Sequence, residues 1–351
     1  MDALLRYILY NIAFTLLTLE IVLMVICCLA IIVTKIITKR NLIKRNYIQD
    51  EIGKIIESHL FHEQPIEKIY IPQKFSQFRN LVEVLEKYDQ RFNDNRWLVI
   101  KEKIFMTYLL PHLENMTSSL FWVNRHLAAR ALLLCPQKAD VKWLHKLLND
   151  SRYLVRVTAA VCITKTSHQE LFYEVLKKMS EETSLSQFPY RDALIQVDQE
   201  KYDWMAALLS KESDKKIIAI CLDVLSSRYS RHLLPLIKPF VNDPDSACRT
   251  LAIKALGNIP NEESIRLLTE HLVDSEWEIR AESVIGLQKL YAVQAIPKIQ
   301  VLLNDPVWWV RLQAALALKA FGIEGRDVLS TRDRENEPRA YEIAQYALAL
   351  P

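Results

Sequence analysis

The chain has 351 residues, half of them hydrophobic, and a formal net charge of +3, enough for a sizeable core but too near neutral to signal a general attraction to nucleic acid. Its five glycines (Gly53, Gly257, Gly286, Gly322 and Gly325) form no G-x-G-x-x-G or P-loop pattern, which excludes those modes of nucleotide binding. The six cysteines include no C-x-x-C pair, and Cys135, Cys162, Cys221 and Cys248 stand in alanine-rich helical contexts, as expected of reduced, buried thiols in a cytoplasmic domain.

Residues 7–34, YILYNIAFTLLTLEIVLMVICCLAIIVT, hold one charge, Glu20, and no glycine or proline. A helix of that length, rising about 1.5 Å per residue, crosses a hydrocarbon layer of about 30 Å. The basic start and small-x-small site of a cleavable signal are missing, so residues 1–35 read as a retained transmembrane anchor. Lys35, Lys39, Arg40, Lys44 and Arg45 follow the span, against Arg6 and the terminal amine before it. The positive-inside rule then places the following chain in the cytoplasm, and the same flank can hold it against anionic lipid. Glu20 is costly inside a bilayer, and the expected answer is either a local polar group (Asn11, Thr15 or Thr18) or a helix of another membrane protein. Cys27 and Cys28 read as apolar filling, with lipidation as the alternative.

Residues 36–75 form the next segment. NLIKRNYIQDEIGKIIESHLFHEQ continues as an amphipathic helix, and PIEKIYIPQKFSQF is an irregular connection broken at Pro65 and Pro72. His59, His62 and Glu63 share a helix face at a spacing that could hold a metal, but no further ligand stands nearby and a solvated helix end explains them. No metal and no cofactor is expected. FRNLVEVLEKYDQRF and NRWLVIKEKIFMTYLLPHL, within residues 76–112, read as a divergent helical pair capping a stack of repeats.

From residue 113 to 351 the sequence repeats with a step of 31 residues. The anchors are Ser119, Asp150, Glu181, Glu212, Asp243, Asp274, Asp305 and Asn336, with a poor match at Glu181. An arginine stands six residues past the anchor at Arg125, Arg156, Arg249, Arg280 and Arg311. Nine past it comes a small residue (Ala128, Ala159, Cys221, Ala252, Ser283, Ala314), and thirteen past it a leucine or isoleucine (Leu132, Ile163, Leu225, Leu256, Leu287, Leu318). The last two fall on one face of a helix. Each unit therefore reads as a helix pair whose anchor Asp caps the second helix, with Pro244 or Pro306 at its first position. One pair cannot bury its apolar face, so pairs must stack. The stretch SLSQFPYRD in the poor frame is unpatterned for a core helix and reads as an insertion, a kink or a binding loop.

The pattern seen best in Asp305, Pro306, Trp308, Val310, Arg311, Ala314 and Leu318 resembles HEAT repeats of the short PBS-lyase-like kind, over roughly residues 113–350. The resemblance implies an all-α fold, a right-handed α-solenoid of stacked helix pairs, preceded here by one transmembrane helix. It further implies a polar ladder between units, carried by Asp150, Asp243, Asp274 and Asp305 with Arg156, Arg249, Arg280 and Arg311. Aromatics recur three residues past the anchor as Trp122, Tyr153, Trp277 and Trp308. Packing between repeats is the favoured reading and a binding stripe the other. Trp309, one residue further, is the better candidate for an exposed contact.

The expected function is a membrane-anchored protein–protein interaction scaffold on the cytoplasmic face, without catalytic residues and without a nucleic-acid partner. The candidate protein-binding residues are Trp309, Trp308, Trp277, Trp122 and Glu20. Single-span bacterial HEAT-repeat proteins, which the chain resembles, occur alongside membrane glycosyltransferases of exopolysaccharide assembly, so the resemblance implies that partner class at the bacterial inner membrane. The alternative is an enzyme on the same fold, bilin-lyase-like or acting on DNA bases, a reading that rests on fold analogy alone.

Overall fold

Asp2–Phe61 forms one uninterrupted helix, α1, in the computed structural model, which describes residues 2–61, 64–227 and 231–350. His62 and Glu63 lie outside the described residues, and among those described no group of three metal-ligating side chains assembles. The first part of α1 has a mean hydropathy of 3.0 over its most apolar window and none of that window is buried, so by length and composition it can cross a membrane. Further along, Ile48, Ile52, Ile56 and Leu60 recur every four residues and are buried, turning one stripe of the helix towards a core.

The chain divides into two compact units, residues 1–138 and 139–351. In the first, α1 packs on α2 (Phe78–Asp89) and α3 (Asn95–Ile104). Asp94 caps α3 by accepting from the Trp97 backbone N–H at 2.9 Å. The fully buried Trp97 indole donates to Asp89 Oδ1 at 3.0 Å, which satisfies its N–H inside the core. A π-helical turn, Phe105–Leu109, joins α3 to α4 (Leu110–Thr117), and α5 (Trp122–Leu134) closes the unit. Arg45, the last cation of the basic flank, is engaged by Glu83 of α2.

The second unit is a run of helix pairs: α6 (Val141–Leu148) with α7 (Tyr153–Ile163), α8 (Gln169–Glu181) with α9 (Ser184–Ile195), and α10 (Gln199–Leu208) with α11 (Lys215–Leu225). There follow α12 (Leu234–Ile237) with α13 (Ser246–Leu256), α14 (Glu262–Glu270) with α15 (Trp277–Lys289), α16 (Ile296–Val301) with α17 (Trp308–Ala320), and α18 (Ile323–Ser330) with α19 (Pro338–Ala349). Successive second helices pack on one another from α7 through α9, α11, α13, α15 and α17 to α19. This is the layered, all-helical solenoid that the 31-residue step implies. The small and leucine-type positions form its core: Ala159, Ile163, Cys221, Leu225, Ala252, Leu256, Leu287, Ala314 and Leu318 are all fully buried. Where α13 and α15 cross, Gly257 and Gly286 meet so closely that a Cβ on Gly257 would lie 2.7 Å from the Gly286 Cα.

The anchor aspartates differ from expectation in one respect. Each accepts a backbone N–H two residues on, Asp150 from Arg152 (2.8 Å), Asp243 from Asp245 (2.9 Å), Asp274 from Glu276 (2.9 Å) and Asp305 from Val307 (2.8 Å). The helices nevertheless begin at Tyr153, Ser246, Trp277 and Trp308, so the Asp closes an Asx turn ahead of the helix and is not its N-cap. Pro244 and Pro306 accordingly sit two residues before the first helical position, inside that turn. The arginine completes the motif. Its Nη1 donates back to the carbonyls of the anchor and the next residue: Arg156 to Asp150 and Ser151, Arg249 to Asp243 and Pro244, Arg280 to Asp274 and Ser275, Arg311 to Asp305 and Pro306.

Candidate functional site

The poor repeat frame is where the surface opens. SLSQFPYRD lies in a full helix, α9, with Pro189 inside it, although proline removes one backbone donor and crowds the preceding turn. The helix is held instead by side chains: Tyr190 and Leu194 are fully buried, and the Tyr153 hydroxyl donates to the Ser186 carbonyl at 2.8 Å. Arg156 of α7 pairs with Glu182 at 2.5 Å, just before α9. What α9 leaves outside is apolar, with Leu185 and Phe188 exposed.

A groove of ≈ 720 Å³ runs from this helix across α11 to α13, walled by Phe188, Gln187 and Arg191 on one side and Leu251 and Lys254 on the other, with Lys216, Ala219, Ile220 and Asp223 between. Asp223 ties the three helices together. It accepts from Arg191 of α9, which reaches both carboxylate oxygens, and from Lys254 of α13 at 3.2 Å. Burial pushes the Asp223 carboxyl up, but the hydrogen bonds and charges of Arg191 and Lys254 outweigh it and hold the group below the usual carboxylate range. A second trough of ≈ 570 Å³ shares Arg191 and Lys254 and continues past Ser227 and Asn258 to Lys289. There Lys289 donates to Asn258 Oδ1 at 3.3 Å, and the Asn258 amide donates to the Ser226 carbonyl at 2.7 Å.

The helices α11 and α13 that frame the groove also carry two fully buried thiols. Burial raises the thiols of Cys221, to about 12, and Cys248, to about 11, so both are held protonated at neutral pH and are poor nucleophiles. Lys216 is exposed, and its ammonium makes no hydrogen bond or ion pair among the described residues.

The residues singled out from the sequence lie elsewhere. Trp308 and Trp309 are 51% and 45% exposed and stand on the first turn of α17, ring centroids 6.3 Å apart. Trp277 takes the same place on the neighbouring α15 and is 38% exposed. Trp122 opens α5 in the first unit, and Glu20 lies exposed on the apolar part of α1. None of the five lines the groove. The packing reading of the aromatics holds for Tyr153, whose hydroxyl donates to Ser186 of the next pair, and is corrected for Trp122, Trp277 and Trp308, which are exposed first residues of their helices, while the buried stripe begins at Val155, Ile279 and Val310. The ladder exists with substitutions. Arg280 grips Asp305 through Nε (2.7 Å) and Nη2 (2.9 Å), and Arg249 approaches Asp274 at 3.7 Å. Arg156 turns to Glu182, and Asp243 is served by Lys215.

Stacked helix pairs with a recurring Asx turn, a back-bonding arginine and small core residues define an α-solenoid repeat protein. Residues 202–288 match the family model for HEAT repeats, and residues 295–323 that for a single HEAT repeat, so the chain carries HEAT repeats over these stretches. No curated protein matches the sequence. Among solved structures, the chain is similar to E. coli YibA, with 14% identity over 81% of this chain and 99% of that one at a TM-score of 0.40. It is also similar to Kap121p bound to Pho4p, with 14% identity over 80% of this chain and 38% of that one at 0.46. Human deoxyhypusine hydroxylase shares 18% identity over 86% of this chain and 96% of that one at 0.30.

Proposed function

We propose that this chain is a membrane-anchored, non-catalytic scaffold that captures a partner protein on the cytoplasmic face of the bacterial inner membrane. The observation that carries the reading is the groove across α9, α11 and α13, a solvent-open surface that combines apolar side chains with fixed charges, in a unit built from repeats whose general use is protein interaction. The exposed apolar stretch of α1 supports the anchor. Lys35, Lys39, Arg40 and Lys44 support the orientation, Arg45 being engaged with Glu83. Confinement to a membrane raises the effective concentration of the scaffold towards other membrane proteins. A membrane glycosyltransferase of exopolysaccharide assembly is the partner class that the family resemblance implies.

The test is in-cell photo-crosslinking from two positions of the full-length protein, Phe188 in the groove and Trp309 outside it, followed by solubilisation, capture and mass spectrometry. One abundant membrane protein joined through position 188 is the expected result. Recovery of the chain alone from both positions would sink the scaffold reading.

A further inference from the structure

The groove and its continuation carry more positive charge than their own carboxylates answer. Arg191, Lys216, Lys254 and Lys289 line the two troughs against Asp223 and Glu182, and Glu182 is already paired with Arg156 from outside them. Adding Glu282, whose charge is felt by both Lys254 and Lys289, still leaves the cations in excess. Among them stand apolar side chains, Phe188 and Leu251 on the facing walls and Ile220 between. Asp223 holds Arg191 and Lys254 in fixed positions, so two of the four cations are oriented before anything binds.

From this charge pattern we infer that the groove takes an acidic segment of the partner protein, a carboxylate-rich stretch with an apolar side chain near its centre. The inference rests on the reading of the groove as a partner-binding surface. The apolar side chain seats on Leu251 and Ile220, and carboxylates on either side meet Lys216 at one end and Lys254 and Lys289 at the other. The four packed helices α9, α11, α13 and α15, at about 8–10 Å spacing, span about 30 Å, which an extended segment of about nine residues covers. Complementary charge would speed encounter and reject basic segments.

The experiment selects phage-displayed random peptides of about twelve residues on the full-length protein in detergent micelles, then measures the winners by fluorescence anisotropy. Net acidic peptides with a central apolar residue are the expected winners. Lys216→Glu, at an exposed position, should weaken them by about tenfold or more, and Leu251→Asp should do the same, while Trp309→Ala leaves them unchanged. Circular dichroism confirms that each variant stays folded, and Lys254→Gln serves as a second charge variant if Leu251→Asp does not. Neutral or basic winners, no winners, or winners that bind Lys216→Glu equally well would overturn the inference. A partner crosslinked through position 188 that lacks an acidic segment would overturn the charge assignment alone and leave the scaffold standing, whereas absence of any crosslinked partner removes both.

Discussion

A Cβ placed on Gly325 would lie 1.9 Å from the carbonyl oxygen of Leu318, and one on Gly257 would lie 2.7 Å from the Gly286 Cα. Backbone cannot yield as a flexible side chain does, so Gly325→Ala should cost about 3 kcal/mol and Gly257→Ala about 1–3 kcal/mol, read by thermal denaturation. An equal Tm for Gly325→Ala and the parent would contradict this approach of α17 and α18. Glu282 gives a pH-dependent prediction. Burial raises its carboxyl above the ordinary range against the pull of Lys254 and Lys289. A group that binds its proton more tightly when folded destabilises the fold once ionised, and the penalty lifts as pH falls through the folded pKa. Glu282→Gln should therefore raise Tm at pH 7 by about 2 °C, with the gain shrinking on acidification; a gain that grew towards low pH would reverse the assignment. Legibility at this scale was uneven. The sequence marked the tryptophans because they recur, yet they are exposed first-turn residues. It passed over Asp223 and Lys254, although these stand 31 residues apart, because one acid and one base at the same repeat position look like a solvated face.

Within an element pair, the recurring arginine has two tasks, and the frames separate them. Arg280 closes its own turn through the Asp274 and Ser275 carbonyls and also holds Asp305, whose side chain is only 4% exposed. Arg311 closes the corresponding turn, but the next frame offers Asn336 where Asp305 would recur. Arg280→Met should then cost about 3 kcal/mol, because it strands a buried carboxylate. Arg311→Met should cost about 1 kcal/mol, the scale of the turn hydrogen bonds alone. Urea denaturation of the two variants measures the difference, and equal losses would show that the ladder adds nothing to the turn. These elements were legible because the Asp, the Arg and the small residue keep one register, and register is what the stacking of pairs enforces. Helix α9 was not legible. Its Pro189 and exposed Phe188 break the helical pattern, and the contacts that hold it, from Tyr153 and Arg156, come from the preceding pair.

At the scale of the whole chain, one helix has two different jobs. The front of α1 is apolar and exposed, whereas its end contributes Ile48, Ile52, Ile56 and Leu60 to the core of the first unit against α2 and α3. The sequence separated a span from an amphipathic continuation, and hydropathy is enough for that. It does not reveal that the continuation completes a core, because the stripe it buries matches a remote segment and not a repeat neighbour. The two ends should therefore respond differently to truncation. Removing residues 1–34 takes away the most apolar part of α1, of which no described side chain is buried, so the remaining protein should be recovered without detergent and melt as the full chain does in micelles. Removing residues 1–61 also uncovers the sides of α2 and α3 that α1 packs on, including the buried Tyr88, whose hydroxyl donates to Glu57. At roughly 1.5–3 kcal/mol for each of the four large apolar side chains lost from the core, that truncation removes about 6–12 kcal/mol, comparable with the whole margin of a typical domain. Residues up to 138 should then become protease-sensitive, while residues 139–351, a compact unit with its own core, should resist. Limited proteolysis read by mass spectrometry decides between this and uniform resistance, which would mean that the buried stripe of α1 contributes little to the first unit.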